Sequence, residues 1–318
     1  MNIVYFGGGE FGLQCLNALA QSSHSLDFIV TQPPRQAGRG RKPTPTAVAD
    51  WARSHSVPFV EAENVNTPQM FQTIAGFKPD LIVVAAFGQK IGNELIKLPP
   101  KGTINVHASL LPKYRGAAPI NWAIIGGETE TGICIITVAE KMDAGEILDR
   151  VATKIAPDET AGQLHDRLAC MAAPLLLETL DKIANSTAIY TKQDHSKATL
   201  APKLKKSDGL LDFAEPADVL QRKIRGLWPW PGASAIYVSQ KTGKSLRATI
   251  AMAQVVKNSN SAHLQLGSLD ENLNVICGED ALKIVGIRPD GSALMDFKDF
   301  VNGRQTRPGD RFIKPDSC

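Results

Sequence analysis

The chain has 318 residues, of which 43% are hydrophobic and 21% charged, and it carries a formal net charge of +3. These values are near the average for globular proteins and exclude a disordered chain, a collagen-like fibre or a small disulfide scaffold as a description of the whole. The length predicts about two domains. No apolar run reaches the roughly 20 residues of a membrane span, and the first residues lack the pattern of a signal peptide. The five cysteines are scattered, without the paired spacing of a metal site. We therefore expect a cytoplasmic protein with reduced thiols, no metal and no membrane contact.

The first part of the chain alternates short apolar runs with helical patterns. A helix follows the first glycine-rich turn, and Thr46 is suited to cap a second helix that runs through Trp51. The alternation predicts a doubly wound, Rossmann-like and mostly parallel sheet. The strands of that sheet are expected at residues 3–6, 28–30, 81–86, 103–106, 133–138 and 147–155.

The character of the sequence changes after a long helical pattern over residues 161–184. Residues 186–208 are polar and irregular and are interpreted as a linker. Beyond them, short β-rich runs separated by glycines predict a small OB-like β-barrel. We expect a first domain over 1–185, the linker over 186–208 and a second domain over 209–318. The strands of the barrel are expected at residues 235–238, 246–250, 273–276 and 282–285.

A glycine motif, Gly7-x-Gly9-x-x-Gly12, follows the first predicted strand and opens a helix, as in dinucleotide-binding sites. Such a site also needs an acid at the end of the second strand to bind a ribose. The second predicted strand instead ends in Val-Thr-Gln, and the nearest acid, Asp27, is expected to precede it. We therefore expect a tight strand-to-helix turn and no binding of a nicotinamide cofactor.

Positive charge is concentrated in two stretches of the chain. Residues 201–257 contain ten Lys or Arg against four Asp or Glu, and residues 32–45 form a Pro- and Gly-rich segment with a second cluster. Such clusters are typical of polyanion-binding surfaces, although solvated surface lysine is an alternative for the later stretch. The prolines and glycines are expected to keep the early segment out of helix and sheet. Its basic residues are Arg35, Arg39, Arg41 and Lys42.

Asn105 and His107 carry the strongest chemical signal in the sequence. They are two residues apart in a predicted strand, so their side chains point the same way, and they lie at its carboxyl end, where open α/β sheets bind ligands. A histidine can remove a proton from a nucleophile while an amide stabilises an oxyanion. Asp143 lies in a later loop and is a candidate to orient the histidine.

Three motifs together resemble the 10-formyltetrahydrofolate-dependent formyltransferases: Asn105-x-His107, the segment Ser109-Leu110-Leu111-Pro112, and Asp143-x-Gly145. The resemblance implies that Asn105, His107 and Asp143 are catalytic. It implies that the Ser-Leu-Leu-Pro loop contacts the folate co-substrate, 10-formyltetrahydrofolate.

The basic segment that contains Arg35, Arg39, Arg41 and Lys42 is similar to a loop of the methionyl-tRNA formyltransferases that grips the acceptor end of tRNA. Trp228-Pro229-Trp230-Pro231 and Pro308-Gly309-Asp310-Arg311 are also similar, so the resemblance extends over nearly the whole chain. It implies formyl transfer to the α-amine of initiator methionyl-tRNA. We expect the chain to act as a monomer.

Two segments depart from the family pattern. Gly7-Gly8-Gly9 stands where Gly-Thr-Pro is common, and Lys113-Tyr114-Arg115 stands where Arg-Trp-Arg is frequent. The second departure also resembles formyltransferases that act on a 4-amino-4-deoxy sugar nucleotide, which is the nearest alternative function. The basic loop favours tRNA, because a row of phosphates suits several cations better than the two phosphates of a nucleotide sugar.

Overall fold

The structure, a computed structural model, describes residues 1–37, 42–257 and 265–316. The chain forms two compact units. The first unit comprises Met1–Pro119, Glu130–Lys154 and His165–Pro202. The second unit comprises Ile120–Thr129, Ile155–Leu164 and the described part of Lys203–Cys318. Arg39 and Arg41 of the predicted basic loop lie outside the described residues.

The first unit is built on a seven-stranded sheet with the order β10-β9-β7-β6-β1-β2-β5. Five of its strands run parallel, and β9 and β10 continue the sheet in antiparallel pairing. This arrangement confirms the predicted Rossmann-like, mostly parallel sheet. The strands of the unit are β1 (Asn2–Gly7), β2 (Ser25–Thr31), β3 (Arg35–Ala37), β4 (Lys42–Thr44), β5 (Phe59–Glu61), β6 (Leu81–Ala85), β7 (Thr103–His107), β8 (Arg115–Gly116), β9 (Glu130–Thr137), β10 (Ile147–Lys154) and β11 (Leu200–Ala201).

The central strands owe their position to continuous apolar sequence. All five residues of β6 are buried, so both of its faces are covered, and its two edges pair with β1 and β7. One helix begins where its sequence predicts. The predicted cap at Thr46 is confirmed, since its side chain accepts a hydrogen bond from the Ala49 backbone N–H at 3.0 Å. The helices of the chain are α1 (Leu13–Ala20), α2 (Ala47–Ser54), α3 (Pro68–Gly76), α4 (Asn93–Ile96), α5 (Pro119–Ile125), α6 (Ala161–Ala184), α7 (Ala217–Gly226) and α8 (Phe297–Arg304).

The second unit contains a nearly closed antiparallel barrel, as the sequence predicted. Its strands follow the order β14-β15-β13-β12-β17, and β16 pairs with β15. Isolated bridges from Ser268 to Arg311 and from Leu269 to Val275 connect the two ends of this order. The strands are β12 (Ala233–Val238), β13 (Ser245–Val256), β14 (Val275–Ile276), β15 (Ala281–Pro289), β16 (Met295–Asp296) and β17 (Arg311–Ile313).

The prediction that residues 32–45 stay out of regular structure is wrong at both ends of the segment. Strands β3 and β4 pair in an antiparallel ladder, with Arg35 opposite Thr44 and Ala37 opposite Lys42. Prolines are compatible with this hairpin because Pro33 and Pro34 precede β3, and Pro43 lies in the three-residue strand β4. A short edge strand needs few ladder hydrogen bonds. Arg35 and Lys42 are exposed on this hairpin.

Candidate functional site

Strand β7 places Asn105 and His107 at the carboxyl end of the parallel part of the sheet. Asn105 lies opposite Val84 of β6 on one side and Ile136 of β9 on the other. Asn105 is half-buried, and His107 is 5% exposed. The two side chains therefore project to one side of the strand from a fixed backbone.

The hydrogen bonding of His107 determines which nitrogen is free. Its Nε2 lies 3.0 Å from the backbone oxygen of Tyr114. A carbonyl oxygen only accepts hydrogen bonds, so Nε2 carries the hydrogen, and the lone pair of the neutral ring is on Nδ1. This Nδ1 lies 3.7 Å from Oδ2 of Asp143.

Asp143 connects the other two predicted catalytic residues. Its Oδ1 accepts a hydrogen bond from the Asn105 side-chain amide at 3.4 Å, and its Oδ2 accepts one from the Gly116 backbone N–H at 2.8 Å. The same Oδ2 faces the Nδ1 of His107. The structure thus brings Asn105, His107 and Asp143 together, although they come from one strand and a distant loop.

The Asp-x-Gly motif reflects a tight approach of the Asp143 loop to the sheet. A Cβ atom on Gly145 would lie 1.7 Å from the backbone oxygen of Thr137, so only glycine fits. Asp143 itself has a φ of 51°, a left-handed backbone conformation that residues other than glycine adopt at a cost in free energy. The Thr137 hydroxyl accepts a hydrogen bond from the Glu146 backbone N–H at 2.9 Å and holds the end of the loop.

The four residues predicted to contact folate have two different environments. Ser109 is fully buried, and its hydroxyl donates to the Lys113 backbone oxygen at 2.7 Å. Leu111 is buried against apolar side chains of the sheet. Leu110 and Pro112 are partly exposed. The buried pair shapes the loop from within, and Leu110 and Pro112 present its accessible surface.

Residues 193–201 pack against the segment around Tyr114 and Arg115, a contact that the sequence did not predict. The Tyr114 and Arg115 backbone N–H groups donate to the hydroxyl and the backbone oxygen of Thr199, each at 2.9 Å. Strand β11 runs parallel to β8, and a Cβ on Gly116 would lie 2.5 Å from the Ala201 oxygen. These contacts use mostly backbone groups, so the irregular sequence carries no pattern that could have revealed them.

The glycine motif after β1 has a packing explanation in this structure. The hydroxyl of Tyr5 donates to the Gly12 backbone oxygen at 3.1 Å, and a Cβ on Gly12 would lie 2.2 Å from that hydroxyl. Tyr5 is fully buried, and burial raises the pKa of its hydroxyl well above the ordinary value. Asp27 lies within β2 rather than before it, which corrects the sequence expectation, and its carboxylate accepts a hydrogen bond from Ser25.

Acidic neighbours pair with part of the basic stretch of the second unit. Lys223 contacts Glu215 at 2.6 Å, and Arg222 contacts Asp218 at 2.6 Å. Lys203, Lys205 and Lys206 are exposed. These three lysines therefore contribute positive charge to the surface of this unit.

Metal ligation and membrane crossing are considered for residues 1–37, 42–257 and 265–316. No group of three or more His, Cys, Asp or Glu side chains has an arrangement that could hold a metal ion there. No helix in those residues is long and apolar enough to cross a membrane.

Comparisons with known families and relatives agree along the chain. Residues 1–180 match the family described as "Formyl transferase", and residues 203–305 match "Formyl transferase, C-terminal domain". The chain is 38% identical to the methionyl-tRNA formyltransferase of Citrifermentans bemidjiense over 100% of this chain and 98% of that one. It is 41% identical to the methionyl-tRNA formyltransferase of Caldanaerobacter subterraneus subsp. tengcongensis over 97% of this chain and 99% of that one.

Solved structures with low sequence identity share the fold. HypX from Aquifex aeolicus, in complex with tetrahydrofolic acid, superposes with a TM-score of 0.63 at 15% identity over 97% of this chain. The chain spans about half the length of HypX, 48% of it. The sugar 3N-formyl transferase WlaRD superposes with a TM-score of 0.64 at 13% identity over 92% of this chain and 99% of that one.

Proposed function

The chain belongs to the methionyl-tRNA formyltransferase family, and from this premise we propose that it formylates the α-amine of initiator methionyl-tRNA. The formyl donor is 10-formyltetrahydrofolate. The amine nitrogen bonds to the formyl carbon, and the bond from that carbon to N10 of the folate breaks. One proton leaves the amine, N10 gains one, and the products are N-formylmethionyl-tRNA and tetrahydrofolate.

The observation that carries the chemical part of this proposal is the position of Asp143 between Asn105 and His107. We assign Asn105 as the donor to the oxyanion that forms when the amine attacks the formyl carbon. Its amide has two N–H groups, one of which points to Asp143. The carboxylate thereby fixes the direction of the amide, which is the pre-organisation that oxyanion stabilisation requires.

His107 is assigned to proton transfer. Its Nε2 donates to Tyr114, so Nδ1 is the nitrogen that can accept a proton from the attacking amine. The resulting imidazolium would be stabilised by the carboxylate of Asp143, whose Oδ2 is 3.7 Å away. An ordinary α-amine has a pKa of about 7.7–8.0, so a histidine and partial desolvation suffice to give the neutral nucleophile. Asp143 also assists the transfer of a proton towards the departing nitrogen.

Substrate binding is assigned to surfaces beside this group. The Ser109–Pro112 loop contacts the folate through its accessible residues, Leu110 and Pro112. The basic segment with Arg35, Arg39, Arg41 and Lys42 binds phosphates of the tRNA. The basic residues of the second unit provide a further contact surface for the tRNA. The protein acts as a monomer in the cytoplasm, where charged initiator tRNA is present.

A direct test compares two acceptors. Purified enzyme and 10-formyltetrahydrofolate are mixed with initiator methionyl-tRNA or with a 4-amino-4-deoxy sugar nucleotide, and formylated product is measured by mass spectrometry. We expect product only with the tRNA. The control variant His55→Ala removes an exposed histidine on the first unit and should behave as wild type. Transfer to the sugar nucleotide alone would overturn the proposal.

A further inference from the structure

Gln193 forms a buried bridge between two loops of the first unit. The residue is 7% exposed. Its side-chain oxygen accepts hydrogen bonds from Nε and Nη2 of Arg115 at 3.2 and 2.6 Å. Its side-chain nitrogen donates to the backbone oxygens of Asp143 and Gly145 at 2.9 and 2.7 Å. Both N–H groups and the oxygen of the amide are therefore used.

The two ends of this bridge reach the segments that hold the assigned catalytic residues. Arg115, which is 4% exposed, directly follows Tyr114, whose backbone oxygen accepts the hydrogen bond from His107. The other end donates to the backbone oxygens of Asp143 itself and of Gly145, two residues later in the same turn. Gln193 thus contacts the backbone segments that position His107 and Asp143. None of these hydrogen bonds involves the side chain of His107 or of Asp143.

We propose that Gln193 is a positioning residue that sets the distance and direction of the Asp143 carboxylate relative to Asn105 and His107. This inference rests on the proposed function of those residues. The turn needs such a support because Asp143 has an unfavourable left-handed φ of 51°. The two hydrogen bonds to the carbonyl groups of Asp143 and Gly145 oppose its relaxation, and their loss would leave these acceptors unsatisfied.

The variant Gln193→Glu separates the two ends of the bridge. It keeps an oxygen for Arg115 and replaces the N–H donors with an oxygen that faces two carbonyl oxygens. We expect kcat to fall about 10- to 100-fold, because small displacements of a reacting group reduce rates on this scale. The KM for methionyl-tRNA should stay within about twofold, since the tRNA surface is unchanged. Gln193→Met, of similar length and without hydrogen-bonding groups, repeats the test if the glutamate variant does not fold.

A double-mutant cycle with Asp143→Asn distinguishes positioning from a general effect on the fold. If Gln193 acts through Asp143, the kcat of the double variant should be at most about threefold lower than that of Asp143→Asn alone. A residue that affects the rate independently of Asp143 would give multiplied losses in the cycle. The matched control is Gln163→Leu, which removes a side chain that accepts hydrogen bonds from Thr160 at the start of α6. It should lower stability and leave kcat unchanged.

The outcomes separate this inference from the function on which it rests. If wild-type enzyme formylates methionyl-tRNA but Gln193→Glu retains its kcat, the positioning role is wrong and the proposed function stands. The same holds if the losses in the cycle multiply. If wild-type enzyme does not transfer the formyl group at all, the proposed function fails first. Amide hydrogen exchange of residues 142–146 then still reports whether Gln193→Glu loosens the turn.

Discussion

Two aspartates, the partly buried Asp143 in the first unit and the buried Asp310 in the second, show how differently the same side chain is used. Asp143 has one bond of 2.8 Å to the Gly116 N–H, a long bond of 3.4 Å to Asn105 and a separation of 3.7 Å from His107. Asp310 accepts hydrogen bonds from the Tyr237 hydroxyl at 2.5 Å and from the Gln240 and Arg307 backbone N–H groups at 2.7 and 3.0 Å. Asp310 is 2% exposed.

The two carboxylates differ in how completely their oxygens are hydrogen-bonded. Three close donors surround Asp310, and all of them belong to the barrel unit, so its bonds contribute to the folded state. Asp143 keeps two loose contacts with groups that can change partner or charge. Short, complete hydrogen bonding is typical of structural carboxylates, and incomplete bonding beside a histidine is typical of reactive ones. We therefore expect changes at Asp143 to affect rate, and changes at Asp310 to affect stability.

The largest expected effect tests the chemistry around Asp143. Asn105→Ala and His107→Ala should each lower the rate of formyl transfer at least about 100-fold, the usual scale for losing an oxyanion donor or a proton-transfer group. Binding of tRNA should change little. Single-turnover assays with excess enzyme measure the rate, and filter binding measures the affinity. Turnover of His107→Ala near the wild-type value would contradict the assignment.

The matched pair Asp143→Asn and Asp310→Asn tests the comparison itself. Asp310→Asn exchanges an acceptor for an amide among three donors, so the free energy of unfolding of the second unit should fall by about 1–3 kcal/mol. Its kcat below the unfolding transition should remain near wild type. Asp143→Asn should show the reverse pattern, with slow transfer and nearly unchanged stability. Urea unfolding followed by tryptophan fluorescence reports on both units, because Trp51 lies in the first unit and Trp122, Trp228 and Trp230 lie in the second. The comparison fails if both variants lose the same property.

Part of the fold and part of the candidate site could be predicted from the sequence. The apolar run of β6 and the spacing of Asn105 and His107 specify a strand and its carboxyl end, because period and burial act locally. Asp143 was a candidate as an acid in a later loop, but only the family resemblance connected it with Asn105 and His107, since no local pattern brings it to β7. Gln193 could not be found, because it lies in a polar segment and acts through backbone oxygens of a loop about 50 residues earlier. The hairpin of β3 and β4 was missed because composition dominated the prediction for a proline-rich stretch.

A smaller effect concerns the hydroxyl that bonds to Asp310. Burial, followed by the hydrogen bond to Asp310, raises the pKa of Tyr237 to about 12. In the unfolded chain a tyrosine loses its proton near pH 10, so between about pH 10 and 12 the unfolded state binds fewer protons than the native state. The stabilising effect is complete below pH 10 and is lost as pH rises towards 12. Urea midpoints of wild type should therefore fall more steeply over this range than those of Tyr237→Phe. Parallel curves for the two proteins would show that Tyr237 does not ionise with this linkage.

The smallest effects are expected in the basic segment, which contains neither of the two compared carboxylates. Arg35 and Lys42 are exposed on the β3–β4 hairpin, and Arg39 and Arg41 lie between these strands in the sequence. Arg39→Ala and Arg41→Ala should each raise the KM for methionyl-tRNA several-fold and leave kcat and folate binding unchanged. Each lost phosphate contact should flatten the slope of log affinity against log salt by roughly 0.7–0.9, because fewer counterions are released. Lys97→Ala, an exposed lysine at the end of α4, is the control and should leave the slope unaltered. If both arginine variants keep the wild-type KM and slope, the loop takes no part in tRNA binding. The preference for methionyl-tRNA over an amino-sugar substrate would then have to come from the second unit, where Lys203, Lys205 and Lys206 are exposed.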